Sequence, residues 1–203
     1  MGAKAVCGLY MLVAQAVFAC QWFLNKAFDK EIIEKVYKDI RISKENVVLI
    51  GMPSCGKSTV GEFLAKKTGR HFYYTDFLIE EKTGKHPSYI ITEQGEAAFR
   101  DIESRIVKEV SAKSGVIIAT GGGAILREEN RNNLRKNGTL WFIDRPLDKL
   151  ITTSDRPLSS SREALTKRYN ERYPIYTDTA DYIIKNIGSI EQAAEQIEKD
   201  LNK

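Results

Sequence analysis

Val47-Val48-Leu49-Ile50-Gly51-Met52-Pro53-Ser54-Cys55-Gly56-Lys57-Ser58-Thr59 is the stretch whose reading decides the fold. Its first four residues are apolar and mostly β-branched, the composition of a strand buried on both faces of a parallel sheet. Gly51 and Pro53 end that strand, and Thr59 to Lys67 continues in a helical pattern. Between strand and helix lies G-x-x-x-x-G-K-[ST], a phosphate-binding P-loop. The spacing has a physical basis. The chain must curl so that successive backbone N–H groups point inward around an anion, and the following helix aims its partial positive end at the same place. Gly51 and Gly56 suit a backbone that passes close to a ligand. Ser54, Cys55, Gly56, Lys57, Ser58 and Thr59 are therefore the candidate nucleotide-binding residues. Lys57 is expected to reach the β- and γ-phosphates of ATP, and the Ser58 hydroxyl to take a coordination place on Mg²⁺.

Outward from the loop, strand and helix signals alternate as in a βαβ series. The helix after the loop stops at Gly69, and His71-Phe72-Tyr73-Tyr74 reads as the next strand, with Asp76 just beyond it. A helix is expected from Ser88 to Ser114, broken near Gly95. Val116-Ile117-Ile118-Ala119 is a third strand leading into Thr120-Gly121-Gly122-Gly123-Ala124, and Thr139-Leu140-Trp141-Phe142-Ile143 a fourth. Leu147 to Tyr173 reads as helical around a polar interruption at residues 152–161, composed for a mobile loop. Tyr182-Ile183-Ile184 is a fifth strand, and Ser189 caps a final helix from Glu191 to Leu201. The expected architecture is α/β, with a five-stranded parallel sheet flanked by helices in residues 46–203 and a helical extension in residues 1–45.

The 203 residues, 42% hydrophobic and 29% charged, suit one α/β domain and something extra. A net charge of +4 is mild and gives no argument for nucleic acid. Cys7, Cys20 and Cys55 are odd in number and widely spaced, and His71 and His86 form no ligand cluster with them. A disulfide framework and a zinc site are both disfavoured, and a reducing cytoplasm is the expected compartment. Residues 5–24 carry no formal charge, so a membrane anchor must be weighed. Gln15 and Gln21 sit inside the run, Gly8 interrupts it, and Lys4 alone makes a thin basic flank. The membrane reading is disfavoured. Residues 25–44 are charged and helix-prone, as in a helical linker. Cys55 has two readings: a reactive thiol beside Lys57 at the head of a helix, or a shielded small residue.

A P-loop specifies a nucleotide and leaves the acceptor open. In an open parallel sheet, ligands gather at the carboxyl ends of the strands. Asp76 follows strand two there, and Gly121-Gly122-Gly123 follows strand three. Arg100, Arg156 and Arg172 are further candidates. One carboxylate, a glycine crevice and several guanidiniums suit a small polyhydroxy acid, with Arg pairing a carboxylate and Asp orienting or deprotonating a hydroxyl. Taken singly these residues say little: an arginine on a charged helix is usually a surface residue, and a triple glycine is often only a flexible loop.

Together, in this order, they are specific. Residues 46–203 resemble shikimate kinase over nearly their whole length, through Gly51 to Thr59, Thr75 to Glu80, Gly95 to Glu103, Gly121 to Ala124, Arg156-Pro157-Leu158 and Arg172-Tyr173-Pro174-Ile175-Tyr176. The resemblance implies the nucleoside-monophosphate-kinase type of sheet, and transfer of the ATP γ-phosphoryl group to the 3-hydroxyl of shikimate. It implies that Lys57, Asp76 and Arg156 are catalytic, Asp76 holding ring hydroxyls as candidate base and Arg156 neutralising phosphates from a lid. It implies that Arg100 and Arg172 bind the shikimate carboxylate, and that Gly121, Gly122 and Gly123 present backbone to the substrate. A monomer is expected. Separately, Gly2 to Ala16 resembles the C-terminal end of shikimate dehydrogenase. No G-x-G-x-x-G precedes it, so that activity is not housed in this chain, and the likeness implies a dehydrogenase–kinase fusion or a remnant of one.

Two departures from the resemblance stand out. Where the family usually writes D-x-D after strand two, the first Asp helping to hold Mg²⁺ through water, this chain has Tyr74. The approach to Arg156 lacks the basic residue many members carry, for which Lys149 is the candidate substitute. Two alternatives stay open: a gluconate-type or other small-metabolite kinase, disfavoured by Phe99-Arg100 together with the triple glycine, and a non-catalytic module descended from a kinase.

Overall fold

The computed structural model of the chain describes residues 8–150 and 161–201. The chain divides into two compact units, Met1–Lys44 and Glu45–Lys203. The first is a helical pair. Helix α1 (Leu9–Leu24) has no acidic residue in its first turn and no basic residue in its last, and Asn25 closes it in the left-handed conformation. Helix α2 (Glu31–Lys44) carries Glu31 and Glu34 at its start and Arg41 and Lys44 at its end, matching its dipole. Tyr10 joins the two by donating a hydrogen bond to Glu34 (2.8 Å) and meeting the Tyr37 ring edge-on at 5.4 Å. Among the described residues, no helix is long and apolar enough to cross a membrane.

The second unit is the expected five-stranded parallel sheet flanked by helices. Strands β1 (Asn46–Ile50), β2 (Phe72–Tyr74), β3 (Ile117–Ala119), β4 (Gly138–Asp144) and β5 (Tyr182–Lys185) lie in the order β2-β3-β1-β4-β5, every pairing parallel. The register levels the ends: Leu49 and Tyr74 both pair with Ala119, so β1, β2 and β3 finish on one line. All five residues of β1 are buried, which is why it reads as a continuous apolar run rather than an alternation. Helices α3 (Lys57–Thr68), α4 (Thr75–Thr83), α5 (Pro87–Ser111), α6 (Glu128–Arg135) and α7 (Arg162–Thr179) lie in the connections between strands, and α8 (Ile190–Leu201) follows β5. Leu49, Ile50, Ile117, Ile118, Trp141 and Phe142 are almost wholly enclosed. Each such side chain contributes about 1.5–3 kcal/mol relative to exposure, so the core rests on the strands that carry the loops above them.

One helix follows the sequence reading at its break, and another departs from it. Helix α5 kinks at Gly95, where the sequence places a break: φ 86°, ψ 161° is a conformation open in practice to glycine alone. Helix α7 does not stop near Tyr173; it runs through Pro174 to Thr179. Proline at 174 leaves the Asn170 carbonyl without its helical partner, and both residues are exposed, so water can satisfy it. Tyr176 then pins the last turn, fully buried and stacked on Phe142 with ring centroids 5.0 Å apart.

Candidate active site

The P-loop curls as its glycines demand. Gly51 has φ 145°, Ser54 φ 63° and Gly56 φ 99°, and Gly56 leads directly into α3. Neither glycine has room for a side chain. A Cβ on Gly51 would lie 2.7 Å from the Ile143 carbonyl, and one on Gly56 would lie 2.7 Å from Asn186 Nδ2. Lys57 is buried, its ammonium donating to the carbonyls of Gly51 (2.9 Å) and Met52 (2.8 Å). Asn186, at the end of β5, donates to the Cys55 carbonyl at 2.8 Å and holds the loop from the far side. Cys55 is wholly enclosed, as the shielded reading of that residue requires, while its Sγ lies 3.7 Å from Lys57 Nζ, the neighbour that the reactive reading invokes. Ser58 and Thr59 line the same crevice, about 470 Å³ in volume, that Ser54, Gly56 and Lys57 line.

The triple glycine is the hub of the opposite wall. A Cβ on Gly121 would lie 2.6 Å from Asp76 Oδ1 and 2.7 Å from Glu103 Oε1. One on Gly122 would meet Pro53 of the P-loop at 2.7 Å, and one on Gly123 would lie 2.2 Å from Arg100 Nη2. Each glycine is thus small because a different member of the site packs against it. Thr75, buried at the start of α4, accepts a hydrogen bond from the Gly121 amide (2.9 Å) and ties Asp76 to the glycine loop. Helix α7 is tied there too. Arg172 Nη1 donates to the Gly122 carbonyl at 3.3 Å, and the Tyr176 hydroxyl donates to the same oxygen.

The acidic and basic groups interlock. Arg100 is buried between two carboxylates, donating to Glu96 at 2.9 Å and to Glu103 at 2.6 Å. Glu103 has no exposed surface, and burial pushes its carboxyl well above the usual carboxylate range against the opposing pull of Arg100, with Asp76 adding to the rise. Asp76 Oδ1 and Glu103 Oε1 are both buried without a hydrogen-bond partner among the described residues, and both border Gly121. Two acceptors at one spot suit a ligand that brings hydroxyl donors.

The structure therefore brings Ser54, Gly56, Lys57, Ser58, Thr59, Asp76, Arg100, Gly121, Gly122, Gly123 and Arg172 to one crevice, while Cys55 lies beneath it. Arg156 falls outside the described residues. Lys149 does not line the crevice; its ammonium is exposed and donates to the Ile187 carbonyl at 3.3 Å. Sequence reasoning missed Glu103, whose motif was noted without a role. It also missed Arg145 and Arg168, two more guanidiniums lining the crevice. Arg145 follows β4, the strand beside β1, and a cation at a strand end next to a P-loop was the signal available.

A family model described as shikimate kinase matches residues 53–202. A shikimate kinase from Clostridium botulinum (strain Alaska E43 / Type E3) is 45% identical over 160 residues, covering 77% of this chain and 96% of that protein. One from Chromobacterium violaceum is 38% identical over 146 residues, covering 68% and 79% respectively. Among solved structures, the shikimate kinase of Acinetobacter baumannii in complex with shikimate superposes with a TM-score of 0.75 at 30% identity, covering 81% of this chain and 96% of that one. The enzyme from Aquifex aeolicus gives 0.69 at 33% identity, covering 77% and 95%. With the family model spanning most of the chain and close relatives matched along nearly their full length, the chain belongs to the shikimate kinase family.

Proposed function

We propose that this chain transfers the γ-phosphoryl group of ATP to the 3-hydroxyl of shikimate, giving shikimate 3-phosphate and ADP. The observation that carries the reading is the packing of the triple glycine, which sets the P-loop, the Asp76 carboxylate and the Arg100 guanidinium against three consecutive residues. The residues fit a nucleotide: a loop with positive φ at three positions and a helix start behind it aims backbone N–H groups at an anion. For Mg²⁺ the fit is narrower. Among the described residues there is no group of three or more His, Cys, Asp or Glu side chains placed to hold a metal, so Ser58 would hold the ion together with nucleotide phosphates. ATP supplies the phosphoryl group, and Mg²⁺ supplies charge neutralisation across its phosphates.

Within this reading Lys57 balances the charge that develops on the transferring group, from a buried position where an ammonium is worth more than in water. Arg145, on the β4 side of the crevice, adds a guanidinium, and Arg156 is assigned the same work from the segment beyond Leu150. Arg100 and Arg172 take the shikimate carboxylate. Arg100 is held by Glu96 and Glu103 before any substrate arrives, so little side-chain freedom is lost on binding. Asp76 accepts the hydrogen bond of the attacking hydroxyl through Oδ1 and orients it toward the P-loop. Cytoplasm, a monomeric state and no nucleic-acid partner complete the reading. Residues 1–45 are read as an extension whose first segment descends from a shikimate dehydrogenase.

An ADP-release assay with ATP, Mg²⁺ and shikimate tests this directly. Turnover is expected with shikimate and not with gluconate. Turnover only with another acceptor would make the chain a different small-metabolite kinase, and no turnover with either would leave a binding module.

A further inference from the structure

Tyr74 closes β2 and stands, with extended backbone, immediately before α4. Its hydroxyl donates to Asp76 Oδ2 at 2.9 Å, and both residues line the crevice. The other oxygen of that carboxylate, Oδ1, is buried and has no hydrogen-bond partner among the described residues. We propose that Tyr74 is a positioning residue: its phenol holds the Asp76 carboxylate through Oδ2 and so turns Oδ1 toward the acceptor hydroxyl.

The physical case has three parts. The terminal torsion of an aspartate is broad and roughly two-fold, so one tether decides which oxygen faces the ligand. A hydrogen bond to a charged acceptor is short, directional and stronger than a neutral one, and here it comes from a half-buried ring at the end of a strand. Lastly, the donor is neutral. Asp76 already shares the Gly121 border with Glu103, and a second carboxylate at position 74 would add a third acidic group to that corner, where like charges oppose ionisation. A phenol orients Asp76 without that cost. The proposal rests on the assignment of Asp76 to the acceptor.

The test is Tyr74→Phe, which keeps the ring and removes only the donor, measured alone and in an Asp76→Ala background. Kinetics by ADP release and shikimate affinity by calorimetry are followed together with the thermal midpoint. Tyr74→Phe is expected to lower kcat/KM for shikimate roughly tenfold, the size of one lost bond to a charged group, with the ATP KM and the midpoint unchanged. In the Asp76→Ala background the same change is expected to leave shikimate affinity where Asp76→Ala alone puts it. Tyr74→Phe kinetics equal to the unchanged chain would overturn the proposal. So would an equal loss of affinity in both backgrounds, which would mean Tyr74 acts independently of Asp76, and so would a joint loss for ATP and shikimate with a lowered midpoint, which would make Tyr74 structural. If Asp76→Ala alone bound and turned over shikimate normally, the assignment of Asp76 would fail first and carry the proposal with it.

Discussion

Arg172 and Glu103 do different jobs in the same corner, and substitutions separate them. Arg172 is buried, and its bond to the Gly122 carbonyl is long at 3.3 Å, while the Tyr176 hydroxyl holds that carbonyl independently. Arg172→Ala should therefore leave the glycine loop in place and remove mainly the partner of the substrate carboxylate. The shikimate KM is expected to rise on the order of 30- to 700-fold (about 2–4 kcal/mol), with the ATP KM little changed. Equal losses for both substrates in steady-state kinetics would show Arg172 to be structural. Glu103 speaks to pH. Its carboxyl is raised by burial, so the folded state binds that proton more tightly than the unfolded chain does. Its contribution favours the fold at acid pH and fades as pH climbs above the ordinary carboxylate range through the raised value. Urea midpoints across that window should fall with pH more steeply for the unchanged chain than for Glu103→Gln, and parallel slopes would refute the assignment. This residue was legible only as part of a motif. A glutamate on a helix rich in charges reads as a solvated face, and it is the approach of Asp76 from α4 and of Gly121 from the loop after β3 that encloses it.

At the scale of elements, the sheet was legible because each strand is a short apolar run bounded by glycine or polar turns, and the P-loop fixed where β1 ends. Helix boundaries were less so, since what decides them lies elsewhere in the chain. Pro174 looks like a stop, yet Tyr176 stacks on Phe142 and carries α7 past it. Gly95 was legible as a break, and its geometry gives the break a function: the helix before it lines the crevice through Pro87, Ser88 and Ile91, and the helix after it begins with Glu96 and delivers Arg100 and Glu103. A Cβ at Gly95 would meet nothing within 4 Å, so the cost of Gly95→Ala is purely conformational. The substitution should destabilise the fold by about 1–3 kcal/mol in denaturant unfolding. It should also raise the shikimate KM more than the ATP KM, because Arg100 is moved and the P-loop is not. A variant as stable as the unchanged chain would mean that α5 straightens without loss.

The whole molecule raises the question of what its two units owe each other. Among the described residues every strand, the P-loop, the glycine loop and α7 belong to Glu45–Lys203, and the Clostridium botulinum relative is matched over 96% of its length by 160 residues of this chain. The border is set by particular bonds. The Glu45 carbonyl accepts from Arg70 at 2.9 Å and its side chain accepts from Thr139, so Glu45 belongs to the catalytic unit and must be retained in any division. Helix α1, by contrast, contributes Val13 as its one buried residue and leaves Trp22 and Phe23 almost fully exposed, a poor return in buried apolar area for sixteen ordered residues. We therefore expect a chain beginning at Glu45 to unfold in a single cooperative transition. Its kcat and both KM values should lie within about twofold of the full chain, since a 0.4 kcal/mol change is all that factor represents. Calorimetry and ADP release on the two proteins side by side decide it. A large loss of kcat with the transition intact would assign Met1–Lys44 a part in catalysis, and loss of the transition itself would make the helical pair part of the fold.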